Sequence, residues 1–190
     1  MFKVTQNLSG KCVIALSDIP ENTLLMEDNI DFYINKNKDL WYEEIIYYEL
    51  KNNRWKFEDL VPNCFDNNIF TDPIFTKNYK SIDESINHKD LILYYNKIIR
   101  NAFKIDDKNN AAILYNGRLF NHSCVPNVKF SLEKSKNKYV MKFYTSRKVK
   151  KGEELCDNYF NTELSFKKRQ EISKRFYGFV CKCKKCIHKK

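Results

Sequence analysis

The chain of 190 residues has the size of one ordinary domain, and 43% hydrophobic with 15% aromatic residues is enough to build a core, which excludes wholesale disorder. Four glycines and four prolines exclude collagen-like, linker-rich and repeat-built chains, and no apolar run approaches the roughly 20 residues that cross a bilayer. The net charge of +10 is concentrated in residues 131–190, with 18 Lys/Arg against 6 Asp/Glu; only 6 of the 34 basic residues are arginine, the side chain suited to bidentate phosphate and base contacts, so nucleic acid is at most a secondary partner.

The opening Met1-Phe-Lys-Val-Thr-Gln-Asn has no apolar stretch of signal-peptide type, so a soluble intracellular protein, nuclear or cytoplasmic, is expected. Residues 13–16 are apolar, Asp18-Ile-Pro is a turn signal, and residues 23–26 begin a second extended run. Residues 40–50 set Trp41, Ile45 and Tyr48 at helical spacing. Residues 51–80 have weak periodicity with Asn, Asp and Pro punctuation and read as irregular connection. Over 90–102, Leu91, Tyr94, Tyr95, Ile98, Ile99 and Ala102 form a helical stripe, followed by a loop at 106–110. Residues 128–132 and 139–145 alternate as paired strands around a turn at 134–138. Thr162 or Ser165 caps a last helix that runs to about Tyr177. Short strands with two or three helices and no repeat make an α+β domain.

Seven cysteines in an intracellular chain point to metal or catalysis before disulfides. Cys181, Cys183 and Cys186 stand as C-K-C-K-K-C, a metal-chelating spacing, and the adjacent lysines favour thiolates. Three sulfurs leave a tetrahedral zinc one ligand short; Cys12, Cys64, Cys124, Cys156 and His188 are candidates for the fourth. Asn121-His-Ser-Cys-Val-Pro-Asn127 concentrates hydrogen-bonding side chains just after the apolar Leu119-Phe120, where they need internal partners or a ligand. Pro126 bars a helix there, which leaves Asn121 and His122 on irregular backbone. In Gly152-Glu-Glu-Leu-Cys-Asp-Asn-Tyr159 a turn glycine precedes two carboxylates; paired glutamates suit acid–base work, though Glu153 reads rather as part of a solvated turn. No phosphate-binding glycine loop, zinc-protease motif or serine-hydrolase elbow appears, which removes those enzyme classes.

Taken in order, Asn121-His122-Ser123-Cys124, Gly152-Glu-Glu-Leu with Tyr159, and the closing Cys-x-Cys-x-x-Cys resemble the signature of SET-domain protein lysine methyltransferases. Gly10-Lys-Cys-Val-Ile-Ala and Asp18-Ile-Pro look like that family's first strand pair. The short tail and Asn101-Ala-Phe103-Lys-Ile105 are most similar to the SMYD branch, without its MYND finger and C-terminal helical domain. The resemblance covers roughly residues 1–34 and 90–186. It implies a SET domain over 1–178 with a variable insert at 35–89, and a zinc-binding post-SET tail at 179–190. The fold implied is a set of short β-sheets with a knot-like C-terminal segment and a few helices.

The activity implied is methyl transfer from S-adenosylmethionine to a lysine ε-amine of a histone or other protein, by a monomer. Lys11, Cys12, Asn101, Asn121, His122 and Phe179 would bind the cofactor, Phe179 against its adenine. Tyr159 would be the essential tyrosine, Phe103 and Tyr177 channel walls for the lysine, and Cys124 with Cys181, Cys183 and Cys186 the structural zinc ligands. Two positions depart from the family pattern: Cys12 replaces the second glycine of the opening motif, and Asp157 stands where SET enzymes often carry the Phe or Tyr that limits methyl number. Competing functions are a SET-fold binding module with little or no turnover, and a small zinc-stabilised nucleic-acid binder using the basic tail.

Overall fold

A computed structural model describes residues 1–7, 10–30, 32–34, 60, 88–105, 110–135 and 138–189. The helix expected at 40–50, the connection at 51–80, most of the 106–110 loop and Cys64 lie outside these residues. Two compact units emerge: Met1–Asp31, Leu114–Ile172 and Val180–Lys190 form the first, and Phe32–Ile113 with Ser173–Phe179 the second. Each is described by itself.

In the first unit, β1 (Phe2–Asn7) and β2 (Gly10–Ala15) pair antiparallel, with Phe2 opposite Ala15. Cys12, Val13 and Ala15 are buried, so β2 is covered on both faces rather than alternating in and out. The Asp18-Ile-Pro turn then lays Ile19 against Val149, their backbones exchanging hydrogen bonds of 2.8 and 2.9 Å. β3 (Leu24–Asn29), β8 (Val128–Ser135) and β9 (Lys138–Thr145) make a three-stranded antiparallel sheet with β9 in the middle. The β8–β9 hairpin is longer than its apolar alternation predicts: pairing continues through Ser135 and Lys138, absorbing most of the expected turn.

Met141 and Phe143 of β9 are fully buried, and Phe143 tilts against Phe120 at 5.2 Å and Phe130 at 5.8 Å. Gly117 opens a short 3-10 turn (Gly117–Leu119) directly over this cluster; any side chain there would run into the Phe143 ring. Buried Asp28 fixes the turn, its Oδ2 accepting from the Asn116 and Gly117 N–H groups at 2.6 and 2.8 Å. That turn delivers the chain to β7 (Asn121–His122), which pairs in parallel with β10 (Cys156–Asp157), Asn121 opposite Cys156 and His122 opposite Asp157. Asn121 and His122 therefore lie in a strand, not on the irregular backbone expected from Pro126. The strand is two residues long and ends before the proline, so the proline does not prevent it.

Asn127 continues the pairing with its side chain. Its Oδ1 accepts from the Cys156 N–H at 2.8 Å and its Nδ2 donates to the Glu154 carbonyl at 2.8 Å. Gly152, with φ +83°, makes the turn ahead of this segment and donates to Ala15 O at 2.8 Å. Glu153 is not part of a solvated turn. Its carboxylate accepts from Arg147 Nη2 at 2.5 Å, the Lys150 N–H at 3.1 Å and Asn127 Nδ2 at 3.4 Å.

The Arg147 hydrogen bond holds the Glu153 pKa below its ordinary 4.5, against the opposing effect of burial. A depressed folded pKa contributes stability that is present above the unfolded value and is lost as pH falls through the folded one. Glu153→Gln is therefore expected to cost about 1 kcal/mol at neutral pH, kept small by solvent screening, and less as pH falls through the lowered folded value. Thermal melts of the two proteins at neutral and acid pH check this.

In the second unit, α1 (His88–Asn101) buries Leu91, Ile92, Tyr95 and Ile98, three of which belong to the expected stripe. The helix stops at Asn101; Ala102, predicted to be its last apolar contact, instead begins β5 (Ala102–Lys104). β5 and β4 (Phe32–Ile34) flank β6 (Ala111–Ile113) in an antiparallel sheet, with Ala102 and Phe32 both opposite Ile113.

The helix α2 (Phe166–Tyr177) begins in the first unit and ends in the second. The Lys168 N–H reaches Ser165 Oγ at 3.4 Å, making Ser165 rather than Thr162 the residue in capping position. A single turn, α3 (Lys184–Ile187), ends the described tail. Among the described residues no helix is long and apolar enough to cross a membrane.

Candidate active site and cysteine cluster

The parallel β7–β10 pair brings together two segments that the sequence separates by more than thirty positions. Asn121 Nδ2 donates to Lys11 O at 2.9 Å and to Glu154 Oε1 at 2.8 Å. Two acceptors on the nitrogen commit both amide hydrogens and fix the amide orientation, which leaves Asn121 Oδ1 as an acceptor of external donors. Cys12, beside Lys11, is buried, and desolvation assisted by the Glu154 charge raises its pKa. Burial also pushes the Cys156 thiol up. Both lie outside the cysteine cluster described below.

His122 is the hinge of the site. Its Nδ1 accepts the Tyr159 N–H at 3.0 Å, so in the neutral ring Nε2 carries the proton, and Nε2 lies 3.3 Å from Cys124 Sγ. Desolvation, with the Arg169 charge, pushes the His122 pKa down to about 4, keeping the ring neutral. Phe160 stacks on the imidazole at 4.3 Å and Tyr159 tilts against it at 5.4 Å. Tyr159 Oη donates to the Phe120 carbonyl at 2.9 Å. A phenol whose single proton is committed in this way can only accept at its oxygen.

Cys124, Cys181, Cys183 and Cys186 form one cluster, with their sulfurs all within 4.8 Å of one another. Cys124 Sγ lies 3.9 Å from Cys181 Sγ and 3.6 Å from Cys186 Sγ. A tetrahedron with metal–sulfur bonds of about 2.3 Å has edges of about 3.8 Å, so the donor set fits a zinc-sized ion. Of the candidates for a fourth ligand among the described residues, Cys124 is the one whose sulfur lies with those of Cys181, Cys183 and Cys186. Burial raises the thiols of Cys124 and Cys181, the latter to about 11. At Cys183 burial acts the same way, but hydrogen bonds from the Cys186 and Cys124 backbone outweigh it and bring the thiol down to about 7.

The tail that carries three of these cysteines is held by side chains that sequence reasoning missed. Gln170 pairs with Cys181 like a strand, Nε2 donating to Cys181 O at 2.9 Å and Oε1 accepting the Cys181 N–H at 3.2 Å. Lys185 Nζ donates to Thr162 O at 2.9 Å and to Glu163 Oε1 at 3.2 Å. Arg169, 1% exposed, donates through Nη1 to Leu164 O and approaches Cys186 Sγ through Nη2 at 3.9 Å.

Asn101, Phe103, Tyr177 and Phe179 belong to the second unit. Asn101 is buried at the end of α1 and donates to Lys97 O at 2.7 Å. Phe103 is half-buried in β5. Tyr177 and Phe179 flank Gly178, their rings 6.3 Å apart.

Asp157 is a buried carboxyl, 1% exposed, and neither of its oxygens has a hydrogen-bond partner among the described residues. Desolvation raises its pKa well above 3.8. With the folded pKa raised, the unfolded chain ionises first as pH climbs past about 4, and folding stability falls over that interval. Asp157→Asn is therefore expected to raise the melting temperature of the ligand-free protein by several degrees at pH 7 and leave it unchanged at pH 3. A scan of melting temperature against pH for both proteins tests this.

The SET domain family profile matches residues 10–160. A putative SET domain-containing protein of Acanthamoeba polyphaga mimivirus, L678, is 36% identical over 94% of this chain and 74% of its own length. Histone-lysine N-methyltransferase SET5 of the yeast Vanderwaltozyma polyspora is 30% identical over 61% of this chain and 23% of its own. Among solved structures, the SET domain of LSMT bound to lysine and AdoHcy superposes with a TM-score of 0.68 at 16% identity, over 95% of this chain and 53% of that one. That likeness shows the fold, including the small sheets and few helices expected. The chain thus spans most of the viral relative but only about half or less of the other two.

Proposed function

Because this chain belongs to the SET-domain family, we propose that it is an S-adenosylmethionine-dependent protein-lysine N-methyltransferase. The observation that carries the reading is Tyr159. Its N–H is anchored on His122 and its hydroxyl proton is spent on Phe120 O, beside the segment that joins Asn121 to Lys11. Bound S-adenosylmethionine supplies an electrophilic methyl on a sulfonium sulfur. Asn121 Oδ1 and the Lys11 and Cys12 main chain suit the ammonium and carboxylate of its methionine end, with His122, Asn101 and Phe179 as the further contacts carried over from the family motif.

The chain's work on the lysine is alignment. The amine, with a reference pKa near 10.4, reacts only when neutral, and aromatic walls that exclude water lower that pKa. Phe103 and Tyr177 are assigned to those walls. Tyr159 Oη, an obligate acceptor here, takes one amine N–H and thereby turns the nitrogen lone pair to the methyl, a positioning effect.

Zinc is assigned to Cys124, Cys181, Cys183 and Cys186, where it ties the 179–190 tail to the Asn121-His122 strand. This use of Cys124, with the Asn101-Ala-Phe103-Lys-Ile105 motif, supports placement near the SMYD branch. The six described cysteines are all free, which supports a reducing intracellular compartment.

The test is calorimetric titration with S-adenosylmethionine, followed by labelled methyl transfer to histones and a protein array. Saturable cofactor binding with label on lysine is expected. Binding without transfer would instead favour the inactive binding module, and no binding would sink the reading.

A further inference from the structure

Arg169 stands out in a helix that reads as a solvated basic strip, Phe-Lys-Lys-Arg-Gln-Glu. Its neighbours Lys167 and Lys168 are exposed, whereas Arg169 is among the largest fully buried side chains of the described protein. Burying a guanidinium is costly unless a negative group compensates it. Among the groups it faces is a sulfur of the cysteine cluster. Nη2 approaches Cys186 at 3.9 Å, and Nη1 is tethered to Leu164 O, which fixes the direction of the fork.

Four thiolates around a divalent ion carry a net charge of −2, and among the described residues two side-chain donors reach that cluster. One is Arg169. The other is His122 Nε2, at 3.3 Å from Cys124. Beside a metal-bound tetrathiolate the buried guanidinium, 3.9 Å from Cys186 Sγ, is one half of an ion pair. Burial opposes the Arg169 charge, and hydrogen bonding to Cys186 with the attraction of Cys124 and Cys186 outweighs that opposition.

We propose that Arg169 is the positioning residue of the metal centre: a buried counter-charge that neutralises the tetrathiolate and thereby sets how tightly the tail cluster holds its ion. The inference rests on the zinc reading above. It makes metal uptake depend on a residue outside the ligand set, through a contact that also reaches, by Cys124 and His122, the backbone of Tyr159.

The experiment is zinc analysis of the whole chain, then competition with a chromophoric chelator for wild type, R169M, R169Q and R169K. The cobalt-substituted forms are compared by their thiolate charge-transfer bands. Loss of a partner of this kind typically weakens metal binding about 10- to 100-fold, which is the expectation for R169M and R169Q. R169K, which restores the charge, recovers part of the affinity. If R169M does not accumulate as folded protein, R169Q carries the comparison. Wild-type protein without zinc would remove the metal reading and this inference together. Zinc in the wild type with unchanged affinity in R169M or R169Q, or with R169K no better than they are, would overturn the role of Arg169 alone.

Discussion

Tyr159→Phe is expected to lower methyl transfer by about 10²–10³, the scale on which one preorganised hydrogen-bonding group at a reacting centre contributes. The change deletes a single oxygen. It removes the acceptor for the amine N–H while the ring stays against His122, at 5.4 Å, and the Tyr159 N–H stays on His122 Nδ1. The folded state loses one hydrogen bond, to Phe120 O, whose net worth is about 1 kcal/mol. Activity and stability should therefore separate: a large fall in kcat, a melting temperature lower by a few degrees at most, and unaltered affinity for S-adenosylmethionine. Single-turnover transfer and calorimetric titration on the same preparation read these quantities. Wild-type turnover in the variant would remove Tyr159 from the chemistry, and a collapse of the melt would mark it as a core residue.

The contrast between what the sequence shows and what only the fold shows follows from chemical locality. The stripe Leu91, Tyr95, Ile98 and the alternation over residues 128–132 and 139–145 are repeated over several turns or pleats, so α1 and the β8–β9 hairpin are legible. Strands of two or three residues, such as β5, β6, β7 and β10, are too short to have a period; β7 pairs with β10 and β6 with β4 across long stretches of chain. The same reason hides the polar staples. Asn127 and Gln170 look like loop and helix-surface amides, yet both hydrogen-bond the backbone of other segments, 29 and 11 positions along the chain.

Motif residues were visible because their chemistry is distinctive: Asn121, His122, Tyr159 and the four cysteines lie together within the first unit. Arg169 was not visible, since nothing in a lysine-rich helix distinguishes the one cation that points inward. Asp157 was read only as a departure from a family pattern. That its carboxyl oxygens are buried with no partner among the described residues emerges only from the fold.

With zinc at the cluster as proposed above, Cys183→Ser is expected to release the metal and free the tail. Removing a partner that merely supports a ligand costs about 10- to 100-fold in affinity, so removing one of four ligands should exceed that range. The energetic balance explains why the tail should follow. Ordering about ten residues opposes folding by roughly 10–20 kcal/mol of backbone entropy. Structural zinc in finger peptides contributes about 10–16 kcal/mol, a similar sum. Gln170 and Lys185 add a few hydrogen bonds of about 1 kcal/mol each, too little to hold the segment alone.

Once the ion is lost, Cys124 is no longer fixed, and His122, 3.3 Å from its sulfur, loses that contact; weaker binding of S-adenosylmethionine is expected to follow. Elemental analysis should give one zinc per wild-type chain and less in the variant. Trypsin should cut the variant first at Lys182, Lys184 or Lys185, and chelator-treated wild type should be cut at the same places. A variant that keeps a full zinc complement and an uncut tail would show that Cys183 is not a ligand.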